Sequence, residues 1–204
     1  MRTSIITLLL CGLAHVQAQI KVTTWLTDPG KQIFFSPQSS ATPKADNDIS
    51  VKVTPSRVFQ SIDGYGWALT GGSAQHIIHM SAPARAALLK DLISTGGSHI
   101  GGSYLRISIG ASDLNDHVFS YDDMPSGQTD TALAHFDLGP DKKDVIPVLK
   151  EILAINPAIK ILGSPWSAPA WMKTNNDTRG GSLKPEYYGA YARYFVKYIR
   201  AMAG

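Results

Sequence analysis

The 204-residue sequence has one cysteine, two glutamates, no Lys/Arg run and no uninterrupted apolar segment of bilayer length. Each scarcity excludes something. The cysteine, Cys11, lies in a segment predicted to be removed, so the mature chain has no disulfide and no cysteine-built metal site. A net charge of +3 without clustered basic residues gives no case for nucleic acid as a partner. A membrane span takes about 20 consecutive apolar residues. The one apolar stretch, Ile5 to Ala14, is shorter than that, so no integral membrane segment is expected.

That stretch has the layout of a secretory signal peptide over residues 1–18. Arg2 provides the positive start, and Val16-Gln17-Ala18 provides the small-residue cleavage site. The expected location is therefore secreted or periplasmic. Composition after it is ordinary for a globular protein, with 44% apolar and 17% charged residues overall.

Residues 19–55 read as a small β-rich appendage. Val22 to Leu26 and Gln32 to Phe35 are strand-like, with Asp28-Pro29-Gly30 as the turn between them. Ser36 to Asp48 is loop-like, and Ile49 to Val53 alternates as a further strand. From residue 56 the pattern changes to alternating strands and helices. Strands are predicted at Gly64–Leu69, Tyr104–Ile109 and Lys160–Ser164. A helix is expected near Ser81–Ser94, with Ser81 as N-cap and Pro83 in the first turn. A second carries Val145, Val148, Leu149 and Ile152 at helical spacing and ends at Asn156-Pro157. A third presents Tyr188, Tyr191, Ala192, Phe195 and Ile199 on one face and Arg193, Lys197 and Arg200 on the other. Gly110 to about Asp141 reads as a long polar connection.

Alternation of this kind implies an α/β fold with a parallel sheet and helices outside it. Three βα units do not close an eight-stranded barrel, which typically takes about 250 residues. They would leave the sheet's inner face and an edge uncovered. The expectation is the N-terminal part of a (β/α)8 TIM barrel, over residues 56–204, in a truncated chain. The alternative is a complete small doubly wound domain, but no glycine-rich phosphate loop follows its first strand.

Three segments carry a resemblance: Phe59-Gln60-Ser61-Ile62-Asp63-Gly64-Tyr65-Gly66; Leu105 to Asp113 with Tyr121-Asp122-Asp123; and Ser164-Pro165-Trp166-Ser167-Ala168-Pro169-Ala170-Trp171-Met172-Lys173. Together with Tyr191 to Tyr198 they resemble glycoside hydrolase family 30, which includes glucosylceramidases and β-1,6-glucanases. The resemblance implies a retaining β-glycosidase, taking a carbohydrate or glycolipid substrate and needing no cofactor or metal. Glucosylceramide-like lipids would connect it to sphingolipid metabolism.

The resemblance also assigns roles. Arg106, inside an apolar strand, would be buried, would need a carboxylate partner and would support the nucleophilic glutamate. Asp113 would accept hydrogen bonds from sugar hydroxyls, and Trp166 would contact the sugar ring. Trp171 would pack behind. One departure from the family pattern is Gly71, where many relatives carry an acidic residue. Retaining enzymes use two carboxyl groups about 5 Å apart, in this family glutamates that end the fourth and seventh strands. The two glutamates here, Glu151 and Glu186, fall on predicted outer helices. No catalytic residue is expected in this chain, and the 204 residues alone are expected to be inactive. A non-catalytic carbohydrate-binding protein and a different barrel glycosidase remain alternatives. His76 and His79 share a helical face but lack a third ligand, and Asn176-Asp177-Thr178 is an N-glycosylation sequon.

Overall fold

The structure, a computed structural model, describes residues 23–38 and 52–204. The predicted signal peptide, most of the predicted loop after Gln38 and the start of the strand expected at Ile49 lie outside the described residues. The chain divides into two compact units, Met1–Phe59 and Gln60–Gly204.

The first unit contains an antiparallel hairpin of β1 (Thr24–Asp28) and β2 (Ile33–Gln38). Asp28-Pro29-Gly30 makes the turn as expected. Gln32 closes it in the left-handed region at φ 55°, with its N–H donating to the Pro29 carbonyl at 3.1 Å. Trp25 stacks on Phe35 with ring centroids 6.1 Å apart.

The second unit runs β3 (Gly66–Leu69), α1 (Gly71–His79), α2 (Ala82–Ile93), β4 (Tyr104–Ile109), α3 (Val145–Ile155), β5 (Lys160–Pro165) and α4 (Tyr188–Ala203). Its strands form one parallel sheet in the order β3-β4-β5. Consecutive strands are neighbours, as in the winding of a (β/α)8 barrel.

The strand registers define two faces. Laterally paired residues of a parallel sheet point the same way, and successive residues alternate. Leu105, Ile107 and Ile109 of β4 are all buried on the helix-covered face. Burial of each such side chain is worth roughly 1.5–3 kcal/mol. Val145, Val148, Leu149 and Ile152 supply the buried stripe of α3 that covers it, as their spacing predicts. Arg85 of α2 fastens three helices. Its Nε donates to both carboxylate oxygens of Glu151 on α3 at 2.9 and 3.0 Å, and its Nη1 donates to the Ile78 and Met80 carbonyls that end α1.

Three expectations are corrected. First, α1 was not foreseen, because two glycines open it and glycine is a poor helix former. Thr70 compensates as N-cap, accepting the Ser73 N–H at 3.2 Å. Second, α4 is rotated about its axis. Its buried residues are Ala190, Tyr194 and Tyr198, while Tyr188 and Ile199 are 57% and 64% exposed. The tyrosines win the inside because the region after β4 supplies ring partners and a donor. Tyr121 stacks between Tyr194 and Tyr198, at 6.0 and 5.7 Å, and its backbone N–H donates to Tyr194 Oη at 3.0 Å. Two of the charged residues read as the opposite face donate to backbone carbonyls: Arg193 to Thr131 and Lys197 to Leu133. Third, the connection from Gly110 to Asp141 is not simply polar. Phe119, Tyr121, Leu133 and Leu138 all enter the core.

Candidate functional site

The inner sheet face is built by the other half of each strand's alternation. Ala68, Arg106 and Leu162 are lateral neighbours across β3, β4 and β5, and Ser108 pairs with Ser164. This row faces away from the helices. Arg106 is exposed there, and its Nη2 donates to Ser164 Oγ at 3.3 Å. Among the described residues it has no carboxylate partner. The carboxylate that the resemblance sets opposite Arg106 is expected outside these residues.

Beyond β4 the chain turns sharply. Gly110 adopts φ 84°, a value that disfavours any side chain, and a Cβ there would lie 3.1 Å from the Phe119 carbonyl. That carbonyl accepts the Ala111 N–H at 3.0 Å, closing a loop whose outward part carries Asp113. Asp113 is exposed, and no hydrogen bond or ion pair occupies its carboxylate among the described residues. The turn beneath it is fixed by Asn115, whose Oδ1 accepts both the N–H and the hydroxyl of Ser112, at 2.8 and 2.9 Å.

Trp166 directly follows β5 and is 37% exposed. It borders an open cleft of about 410 Å³ together with Ser167, Lys173, Thr178 and Tyr191. The far wall is a loop from Lys173 to Leu183, whose ends pair as an antiparallel bridge. Lys173 is 8% exposed and clasps this wall, its Nζ donating to Ser167 Oγ at 3.2 Å and to the Thr178 carbonyl at 2.7 Å. Sequence reading passed over this residue; its place inside the conspicuous Trp-Met-Lys run was the available signal. Trp171 behaves as expected of a packing residue: it is buried, donates Nε1 to the Asp122 carbonyl at 2.9 Å and meets Tyr187 edge-on at 4.9 Å.

The structure thus places Arg106 on the inner sheet face and Asp113 and Trp166 on segments leaving the C-terminal ends of adjacent strands. Arg106 and Trp166 are linked through β5, since Ser164 binds the guanidinium two residues before the indole. Asp113 shares no hydrogen bond with either among the described residues. The carboxylates most displaced from ordinary behaviour lie elsewhere. Asp141 is pushed up to about 7, mainly by burial, and accepts a hydrogen bond from Tyr121 Oη. Asp122 is pushed up to about 6 by burial and by the charge of Asp130. Both belong to the packing layer between the segment after β4 and α4, so their perturbation reflects burial in the helix-side core. The two glutamates are no closer to catalysis. Glu151 is held by Arg85 on the outer helices, and Glu186 sits in a short 3-10 turn before α4, a correction to its expected place on a helix proper. His76 and His79 are exposed on α1, and no metal-holding cluster occurs among the described residues.

Comparison with known proteins adds a second, independent line. The family profile described as the glycosyl hydrolase family 30 TIM-barrel domain matches residues 62–204. An endo-1,6-β-D-glucanase from Neurospora crassa is 37% identical over 158 residues, covering 75% of this chain and 32% of the relative. The lysosomal acid glucosylceramidase of Mus musculus is 30% identical over 184 residues, covering 87% of this chain and 35% of the relative. Among solved structures, an endo-β1,6-glucanase superposes with a TM-score of 0.69 at 32% identity, covering 90% of this chain and 40% of its own. The chain spans about a third of the length of the curated relatives it matches.

Proposed function

The chain belongs to glycosyl hydrolase family 30, and on that footing we propose that it supplies the first three βα units of a secreted retaining β-glycosidase acting on β-1,6-linked glucan. The observation that carries the reading is the disposition of Arg106, Asp113 and Trp166. One lies on the open inner face of a parallel sheet, and two lie on segments leaving the C-terminal strand ends, where barrel enzymes assemble their sites. Asp113 presents a free carboxylate to sugar hydroxyls, and charged acceptors make the stronger hydrogen bonds. Trp166 offers an apolar ring face and an N–H at the mouth of a cleft. Arg106, solvated and tied only to Ser164, is available to a carboxylate brought opposite it and would hold that carboxylate ionised.

The hydrolytic step of this reading is a double displacement. One carboxylate attacks the anomeric carbon while a carboxylic acid protonates the leaving glycosidic oxygen; that acid, now a carboxylate, then takes a proton from the water that displaces the nucleophile and frees the sugar from the glycosyl-enzyme. Neither Glu151 nor Glu186 is positioned for either task, so both carboxyl groups come from barrel segments outside these 204 residues. The chain alone is accordingly inactive. β-1,6-Glucan is preferred as substrate because relatives named as endo-1,6-β-D-glucanases reach 37% identity and a structure of that name superposes well. A glucosylceramide is the second reading, favoured by the longer alignment with the mouse lysosomal enzyme. Residues 1–18 are proposed to direct export.

The test is hydrolysis of β-1,6-glucan by the full-length protein with NMR detection of the anomer first released. Retention supports the reading. Inversion contradicts the family mechanism, and hydrolysis of glucosylceramide without activity on glucan selects the second substrate.

A further inference from the structure

Gly71, read above as a departure from the family pattern, and Gly72 begin α1 directly against the turn that carries Asp113. A Cβ on Gly71 would lie 2.2 Å from Asn115 Nδ2, and one on Gly72 would lie 1.9 Å from the Leu114 carbonyl. Neither glycine is in the left-handed region, so backbone conformation does not require them. Space does.

Asn115 occupies that space and controls the turn. Its Oδ1 accepts both donors of the buried Ser112. The Ser112 hydroxyl in turn accepts the Leu114 N–H at 3.3 Å, and the Ser112 carbonyl accepts the Asn115 N–H at 3.2 Å. The residues on both sides of Asp113 are therefore fixed, while its carboxylate stays free. Asn115 Nδ2 is buried without a hydrogen-bond partner. An amide oriented to suit its nitrogen would face elsewhere, so the two Ser112 donors set its direction.

We propose that Asn115 is a positioning residue for Asp113, and that Gly71-Gly72 is the floor that lets it dock. The inference rests on the sugar-binding reading of Asp113 and deepens it: an acidic residue at position 71 and Asn115 in this pose exclude each other, so the glycine pair sets the height at which Asp113 meets the sugar.

The experiment uses the full-length protein with β-1,6-glucan. Asn115→Ala should raise KM by roughly three- to tenfold with kcat changed less, because the lost interactions orient a ground-state sugar contact. Asn115→Asp, which keeps the acceptor for Ser112, should recover most of the loss. Gly71→Ala should impair KM similarly, and the Gly71→Ala/Asn115→Ala double variant should be no worse than either single one, because the clash disappears with the side chain. In an Asp113→Ala background, Asn115→Ala should add little. A general packing role predicts the opposite: a lowered melting temperature, a fall in kcat and a full additional loss without Asp113. Unchanged KM in Asn115→Ala overturns the proposal. If Asp113→Ala leaves KM unchanged, the sugar-binding reading falls instead. Hydrogen exchange at the Leu114 amide, faster in Asn115→Ala, then decides separately whether Asn115 fixes the turn.

Discussion

Replacing Asp122 by Asn should make the protein more stable at neutral pH and confer no such gain in acid. Asp122 is 1% exposed, and neither carboxylate oxygen has a hydrogen-bond partner. Burial and the charge of Asp130 push it from its ordinary value up to about 6, against weaker opposing pulls from the nearby Trp171 N–H, His135 and Lys197. The folded protein therefore holds this proton more tightly than the unfolded chain does. The charging penalty is absent well below pH 4, grows between about pH 4 and 6 and is level above, so stability falls across that window. A rise of this size corresponds to roughly 3 kcal/mol. Asn removes the charge at every pH. Its amide adds an unsatisfied-group cost that is independent of pH, so the diagnostic is the slope and not the offset. Urea denaturation of both proteins at pH 4, 5.5 and 7.5 gives the difference in unfolding free energy. It should move in favour of the Asn variant by about 2.5 kcal/mol between the extremes. A difference that stays constant, or that shifts toward the wild type as pH rises, refutes the reasoning.

Other perturbations follow from the same contacts. Tyr194→Phe removes the acceptor of the buried Tyr121 N–H and should cost about 1–3 kcal/mol in a melt or denaturant titration. Arg85→Ala abandons Glu151 and the two carbonyls at the end of α1, for a loss of about 1–3 kcal/mol measured the same way. Trp166→Ala should raise KM for glucan roughly tenfold in the full-length protein while leaving the melting temperature within a few degrees. Glu151→Gln and Glu186→Gln should leave kcat on glucan within about twofold, because neither acid touches the sugar.

Regular elements were legible where local pattern and tertiary demand agree. The strand at Tyr104–Ile109 carries alternating burial with one charge on the open face, and the apolar stripe of α3 is satisfied by the sheet it covers. The misreadings share one cause: a distant partner decided. Nothing near α4 reveals that Tyr121, more than seventy positions earlier in the chain, fills the space that selects Tyr194 and Tyr198 over Ile199. Gly71 and Gly72 argue against a helix by propensity, yet they start one because the Leu114 carbonyl and Asn115 leave no room for a side chain. The segments that carry Asp113 and Trp166 stood out by motif. The hydrogen bonds of Asn115 and Lys173 beside them did not, because they lie within turns that carry no periodic signature.

The central claim is that Asp113 and Trp166 serve one sugar ring. A crystal structure of the full-length protein with a β-1,6-linked glucose disaccharide bound tests it most directly. The account predicts one glucose unit with a hydroxyl donating to the Asp113 carboxylate and the Trp166 indole against the same ring. A disaccharide bound elsewhere, or touching only one of the two side chains, contradicts it.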